Sequence, residues 1–394
     1  MEGKKLLRRI QLENLLSYKG VEFELEPLNV LIGPNASGKS NLIEAIGLLA
    51  AAPRNLLAPF REGGSAEDWL WKGDAEPGAA RITTHLDYPR EGGQDLPLSY
   101  KLAFRAIDIR FRVVEEGLES PEGPLLYRDP ETVSVFRSAE GYPSLFEEPD
   151  PRIDSKKIDL SQSILSQIRD PADYPQLTFL GDQLGQVRFY RGWPFGRNNI
   201  LRRAQDVHLP SDFLLEDGSN LGLVLNDLQN RRDTKNLIVE NLRPLYEGIE
   251  DVTTKVQGGA IQIFFHEEGL GSPMPAFRLS DGTLHYLCLL TILLHPEPPP
   301  LICIEEPESG LHPDVILTVA RLLVEASRRT QLIITTHSET LISALSETPE
   351  AIVVCERDDR GTRLKRLDPA KLRDWLEEYR LGDLWAMGEI GGNR

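Results

Sequence analysis

A glycine-rich octapeptide near the start of the chain has the composition of a phosphate-binding loop. Residues 33–40 read GPNASGKS, which fits G-x-x-x-x-G-K-[ST] between a hydrophobic run and a helical run. In such a loop backbone N–H groups surround phosphates, the Lys39 amine reaches the β- and γ-phosphates, and the Ser40 hydroxyl binds Mg²⁺. A chance glycine-rich turn is the alternative, and the strand-before, helix-after context disfavours it. The predicted nucleotide-binding residues are Gly33, Pro34, Asn35, Ala36, Ser37, Gly38, Lys39, Ser40 and Asn41.

Two adjacent carboxylates follow a second hydrophobic run, at residues 301–304. A buried parallel strand delivers the residues after it to the sheet edge where the phosphate loop also lies. We expect Glu305 to hold Mg²⁺ through water and Glu306 to polarise the water that attacks the phosphate. The alternative is a solvated acidic turn after a core strand.

Two further sets of polar residues lie at the ends of predicted secondary-structure elements. His337 ends the run IITT and could hydrogen-bond a γ-phosphate, although a lone histidine there is more often structural. Ser280, Asp281 and Gly282 begin a leucine-rich helix and, taken alone, are an ordinary helix cap.

The hydrophobic pattern predicts an α/β protein. Strands are expected at 7–12, 21–25 and 28–32, a helix at 40–51, and an antiparallel β region at 79–114, followed by an irregular segment at 118–160. Helices are predicted at 220–230 and 234–246, the second capped by Asp233, and a hairpin at 252–256 and 260–265. From residue 282 onward helices and strands alternate, which is typical of a mostly parallel sheet.

Composition limits the class of protein. The 394 residues include 40% hydrophobic residues and carry a net charge of −17, which argues against a generally basic nucleic-acid coat. The three cysteines lie in apolar stretches, and no segment has the length of a membrane span, so we expect a cytoplasmic protein. Local basic groups remain candidates for DNA contact or for solvated surface: Lys4, Lys5, Arg8, Arg9, Arg188, Arg191, Arg197, Arg202, Arg203, Arg231, Arg232 and Lys235.

The order of these motifs resembles a known family. GPNASGKS, LSDGT, ICIEEPESGLHPD and TTHS together are similar to the ATP-binding-cassette (ABC) ATPases, in the branch that contains RecF and the SMC proteins. The resemblance implies a P-loop NTPase fold with an ABC/RecF-like head: a mostly parallel sheet, an antiparallel β subdomain and a helical insertion. It also suggests an N-terminal ATPase lobe at 1–50, an inserted β and helical lobe at 51–270, and a C-terminal ATPase lobe at 271–394.

The resemblance assigns roles that the residues alone do not. Ser280, Asp281 and Gly282 match the family signature that contacts the γ-phosphate held by the opposite subunit, which implies an ATP-dependent homodimer with ATP and Mg²⁺ as cofactors. Two departures stand out. Glu305 replaces the usual aspartate, and the lobe-linking glutamine is not assigned, with Gln162 and Gln167 as candidates.

These features predict an ATP-hydrolysing switch that acts on DNA or controls an effector nuclease or toxin, in genome maintenance or antiphage defence, without a membrane partner. The ATPase subunit of a membrane transporter and a phosphotransferase with a small-molecule acceptor are the competing interpretations. Aromatic residues within 189–195 are expected to pack the junction of the inserted lobe, with base stacking as the alternative.

Overall fold

Nineteen strands and eleven helices make up the described part of the chain. The computed structural model describes residues 3–73, 78–90, 92–107, 110–139, 142–143 and 149–392. The strands are β1 (Arg9–Leu15), β2 (Tyr18–Glu24), β3 (Leu28–Ile32), β4 (Ala80–Tyr88), β5 (Leu96–Ile107), β6 (Arg110–Ser120), β7 (Gly123–Arg128), β8 (Val133–Val135), β9 (Ser138–Ala139), β10 (Tyr142–Pro143), β11 (Arg188–Tyr190), β12 (Gln205–Asp206), β13 (Ile249–Gln257), β14 (Ala260–Glu267), β15 (Met274–Pro275), β16 (Leu301–Glu305), β17 (Gln331–Thr335), β18 (Ile352–Asp358) and β19 (Gly361–Arg366). The helices are α1 (Lys39–Ala51), α2 (Ala58–Gly63), α3 (Ile164–Gln167), α4 (Pro175–Gly185), α5 (Leu221–Gln229), α6 (Arg232–Leu242), α7 (Asp281–Leu293), α8 (Pro313–Ala326), α9 (Glu339–Ala344), α10 (Pro369–Leu376) and α11 (Leu381–Met387).

A six-stranded sheet carries the predicted site. Its order is β11-β16-β17-β3-β18-β19, and every neighbouring pair is parallel except β18 with β19. All five residues of β3 and β17 are buried, as expected for parallel strands covered on both faces. The carboxyl ends of β3, β16 and β17 therefore meet at one edge, which brings the phosphate loop, Glu305 and the residues before His337 together.

A seven-stranded antiparallel sheet packs beside this core, in the order β2-β1-β4-β5-β6-β7-β8. It confirms the predicted β region and extends it, because β7 and β8 lie in the segment expected to be irregular. In β4 buried residues alternate with half-buried ones along most of the strand, the pattern of a sheet with one face on the core. The sheet joins strands from both sides of residue 50, while β11 adds a strand from within 51–270 to the parallel sheet. The three-lobe division remains a prediction.

The helical insertion and its hairpin follow the sequence pattern closely. Helices α5 and α6 pack near the predicted hairpin, which is formed by β13 and β14 around the two-residue turn Gly258-Gly259. The predicted cap at Asp233 is wrong: α6 begins at Arg232, and Asp233 lies in its first turn. An acidic residue there is favoured by the helix dipole, which explains why it looked like a helix-start residue.

Two groups of buried side chains form the core. One includes α7, α8 and one face of the parallel sheet, and the other includes α1, the antiparallel sheet and the opposite face of the parallel sheet. All three cysteines are buried and unpaired, as their apolar surroundings predicted. Among the described residues, no helix has both the length and the apolar character needed to cross a membrane.

Candidate nucleotide site

The phosphate loop has positive φ angles, which glycine adopts most readily, at three positions, one of them Ala36 at 63°. Gly33 and Gly38 have φ of 150° and 104°. A Cβ on Gly33 would lie 2.2 Å from the Cys355 carbonyl oxygen, and one on Gly38 would lie 2.3 Å from Thr362 Oγ1. The loop thus fits tightly against β18 and β19, and it leads directly into α1, whose first turn contains no acidic side chain. The free N–H groups and dipole of that helix start favour an anion.

The Lys39 side chain is held inside the loop. Its Nζ donates to the carbonyl oxygens of Gly33 at 2.7 Å and Pro34 at 2.9 Å, and the residue is only 6% exposed. Burial lowers the pKa of the Lys39 amine, while the nearby thiol of Cys355 and the carboxylate of Glu306 oppose that shift. An amine in this position can contact phosphate oxygens placed within the loop.

Ser40 and Glu305 place a hydroxyl and a carboxylate oxygen side by side. The Ser40 hydroxyl donates to Glu305 Oε2 at 2.8 Å, joining the first turn of α1 to the end of β16. Hydroxyl and carboxylate oxygens are the donors that Mg²⁺ prefers, so these two residues fit the ion that the family implies. Although glutamate stands where the family usually has aspartate, its carboxylate contacts the serine hydroxyl.

Glu306 has an unusual backbone conformation. Its φ is 47°, a left-handed value that costs a non-glycine residue roughly 1–2 kcal/mol, and its N–H donates to the Thr335 carbonyl oxygen at 2.9 Å. That conformation leaves the Glu306 carboxylate 53% exposed, with Oε1 4.0 Å from His337 Nε2. The carboxylate and the imidazole therefore share the exposed edge next to the loop.

His337 titrates below its ordinary range. Partial burial is the largest cause of the lowered pKa of this imidazole, and the positive charge of Lys39 lowers it further, against the carboxylates of Glu306 and Glu308. The lowered pKa favours the neutral imidazole, which can donate one hydrogen bond and accept another.

Glu308 fixes the segment that carries His337. Its Oε1 accepts hydrogen bonds from Thr336 Oγ1 at 2.6 Å and from the His337 backbone N–H at 3.0 Å. We did not predict this role of Glu308 from the sequence. The only indication there is a third carboxylate, two residues after Glu306 in EEPE.

The three signature residues contact the start of α7, the segment 196–202 and the loop after β16. Ser280 caps α7, accepting from the Thr283 N–H at 3.0 Å, as an ordinary helix cap does. Asp281 accepts from Arg202 Nη2 and the Gly196 N–H, both at 2.8 Å. A Cβ on Gly282 would lie 2.6 Å from the Gly310 carbonyl oxygen, so the signature packs tightly against the loop after β16.

The two glutamines considered for lobe linking bind elsewhere. The Gln162 amide contacts Leu56 and Asn55, and the Gln167 amide contacts the start of α3. One of the two strands that pair with β16 is β11. The residue after β11 is Arg191, whose Nε lies 3.5 Å from Glu305 Oε1. In the sequence, Arg191 stands out only as a basic residue among aromatic residues.

The aromatic run around Arg191 is partly buried. Tyr190 and Trp193 pack in the core, as expected for a junction, whereas Phe195 is 59% exposed and contacts the His285 ring edge-on at a centroid distance of 4.6 Å. The junction interpretation therefore holds for the first two of these residues.

Sequence comparison finds relatives among DNA-processing proteins. The chain is 53% identical over 47 residues to the DNA replication and repair protein RecF of Moorella thermoacetica, which is 12% of this chain and 13% of RecF. It is 28% identical over 123 residues to the OLD nuclease of Thermus scotoductus, covering 30% of this chain and 22% of the nuclease. The match to the DNA double-strand break repair Rad50 ATPase of Methanopyrus kandleri is 35% over 103 residues, or 24% and 11% of the two chains. The chain thus spans less than a quarter of each of these three relatives.

Comparison with solved structures shows the fold. An SMC head bound to the C-terminal winged-helix domain of ScpA superposes with a TM-score of 0.57 at 13% identity, covering 93% of this chain and 99% of that one. A Pyrococcus furiosus SMC head with an extended coiled coil gives 0.56 at 13% identity, covering 95% and 99%. The ABC/RecF/SMC-like ATPase head predicted from the motifs is therefore the fold observed.

A family model covers most of the chain, from the strand before the phosphate loop to the helix after His337. It matches residues 28–343 and is described as "AAA domain, putative AbiEii toxin, Type IV TA system". These bounds contain the phosphate loop, the Glu305–Glu306 pair, the signature and His337. The chain belongs to this family of AAA ATPase domains.

Proposed function

We propose that the chain is an ATP-hydrolysing switch whose active sites form between two copies. The observation that carries the proposal is the separation of two half-sites on one chain. Among the described residues, the polar contacts of Ser280 lie within the start of α7, and those of Asp281 go to Gly196, Asn199 and Arg202. None of those partners belongs to the phosphate loop. A second copy placing its signature over this loop would complete the site.

Each residue of the loop-side half-site then has a role. Lys39 neutralises phosphate charge, and Ser40 and Glu305 hold Mg²⁺, which supplies further neutralisation of the phosphates when bound. Glu306 orients and polarises the attacking water, and the neutral His337 donates a hydrogen bond to the γ-phosphate. Ser280 of the second copy closes the site from the opposite side.

We further propose that the dimer acts on DNA or controls an effector nuclease or toxin, in genome maintenance or antiphage defence. The names of the RecF, Rad50 and OLD relatives support a DNA-related role. Much of the basic surface considered for DNA contact is neutralised, however. The ion pairs include Lys5–Glu26, Arg8–Asp87, Arg9–Glu22, Arg191–Glu44, Arg202–Asp281, Arg231–Glu297 and Lys235–Asp251. A DNA surface would therefore have to form mainly on assembly.

The test compares nucleotide binding with phosphate release. Glu306→Gln should bind a fluorescent ATP analogue with wild-type affinity and release phosphate about 100-fold to 10,000-fold more slowly, because the base that polarises water is lost. Glu339→Gln, which changes an exposed carboxylate on α9, is the matched control and should match wild type in both assays. Wild-type hydrolysis by Glu306→Gln would contradict the proposed role.

A further inference from the structure

We infer that Arg191 is a positioning residue for the metal-binding carboxylate, and that it compensates for the glutamate at position 305. This inference rests on the proposed nucleotide function. It concerns a residue that lies outside every predicted motif, at the end of the short strand β11.

The Arg191 guanidinium lies between two carboxylates on different elements. Its Nη1 is 2.8 Å from Glu44 Oε1 on α1, and its Nε is 3.5 Å from Glu305 Oε1 at the end of β16. The side chain follows the surface of α1, where a Cβ on Gly47 would lie 3.7 Å from Nη2. Arg191 thus bridges the helix that begins at the phosphate loop and the strand that ends in the metal ligand.

This contact divides the two oxygens of Glu305 between two partners. Oε1 faces the guanidinium, whereas Oε2 accepts from the Ser40 hydroxyl at 2.8 Å. Holding Oε1 leaves Oε2 directed to the serine, the side on which Mg²⁺ would bind. Groups that hold a metal ligand in this way commonly change metal affinity by 10–100-fold when they are removed.

The length of the glutamate explains why such a partner is useful. Compared with aspartate, Glu305 has one more methylene and one more rotatable bond, so a freely rotating carboxylate would lose more entropy on binding an ion. The planar guanidinium reduces that freedom because it offers donors in fixed directions. Glu44 offsets the positive charge, so that Arg191 repels the incoming cation less than a lone arginine would.

A double-mutant cycle in the full chain tests this inference. The readout is the dissociation constant of Mn²⁺, measured from the electron paramagnetic resonance signal of free Mn²⁺ in the presence of a non-hydrolysable ATP analogue. Arg191→Met, which keeps the bulk of the side chain and removes the charge, should weaken Mn²⁺ binding about tenfold. Arg188→Met on the same strand is the matched control and should leave it unchanged, because the Arg188 side chain bonds to the Val187 carbonyl oxygen.

The decisive comparison is made in the chain that carries Glu305→Asp. The shorter side chain withdraws the carboxylate from the guanidinium, so Arg191→Met should then change the Mn²⁺ dissociation constant by less than about twofold, as expected for uncoupled sites. An equal loss in both backgrounds, or no loss in the Glu305 background, would overturn the role of Arg191. If the wild-type chain binds no Mn²⁺ with the analogue, the proposed nucleotide function fails and this inference fails with it.

Discussion

At the scale of single residues, the chemistry depends on a few strained or buried positions. Glu306 keeps a left-handed backbone that presents its carboxylate beside His337. Lys39 is enclosed by loop carbonyls, with a pKa lowered by burial. The spacing of the motifs could predict Glu306 and Lys39, because each belongs to a loop whose residues are contiguous in the sequence. It could not predict Arg191 or Glu308, because their roles come from contacts between strands far apart in the chain.

The coupling between Lys39 and His337 gives a prediction about pH. Because the positive charge of Lys39 helps to lower the pKa of His337, Lys39→Met should raise that pKa toward its ordinary value. Glu306→Gln should lower it further, since the carboxylate stabilises the charged imidazole. Titration of the His337 ring protons by NMR measures both shifts. A downward shift of the His337 pKa in Lys39→Met would contradict this coupling.

At the scale of elements, regular patterns were predictable and short or polar elements were not. Periodicity predicted the alternation of helices and strands after residue 282, which the structure shows as α7, β16, α8 and β17, since each is long or apolar enough to show its period. It missed β7 and β8, whose neighbours are rich in proline and acidic residues, and the three-residue β11. β11 is stabilised by pairing with β16, far along the chain, whereas β7 and β8 pair with β6 and with each other. In all three strands the cross-strand pairing matters more than the strand's own sequence, which carries little signal.

A buried ion pair ties the antiparallel sheet to α3. Glu116 and Arg128 are both fully buried, and Glu116 also accepts from Tyr100 and from the Ile164 N–H at the start of α3. Glu116→Gln should lower the free energy of unfolding by about 3 kcal/mol, because it leaves the Arg128 charge buried without its partner. Urea denaturation measures the change. Glu115→Gln, at a partly exposed carboxylate on the next residue, should cost less than about 1 kcal/mol. Equal losses for the two variants would contradict the importance of burial.

At the scale of the whole molecule, the proposed active site depends on the assembly of two copies. One chain carries the phosphate loop on the edge of its parallel sheet and the signature at the start of α7, and the two do not meet within the described residues. Family resemblance predicted this division, whereas composition and periodicity could not, because a contact between two copies leaves no periodic pattern in one sequence. On the signature side, Arg202 donates to Asp281, and Gly282 packs on Gly310.

The most direct test is sedimentation velocity of Glu306→Gln with and without Mg-ATP, with labelled duplex DNA in a parallel run. We predict a monomer without nucleotide and a dimer with it, because slowed hydrolysis preserves the closed state. Adding Ser280→Arg, which places a bulky side chain on the signature face, should abolish the dimer while fluorescent ATP binding persists. Co-sedimentation of DNA with the dimer would support action on DNA, and a dimer without DNA would favour a protein effector. A Glu306→Gln chain that binds ATP and remains monomeric would contradict the composite site.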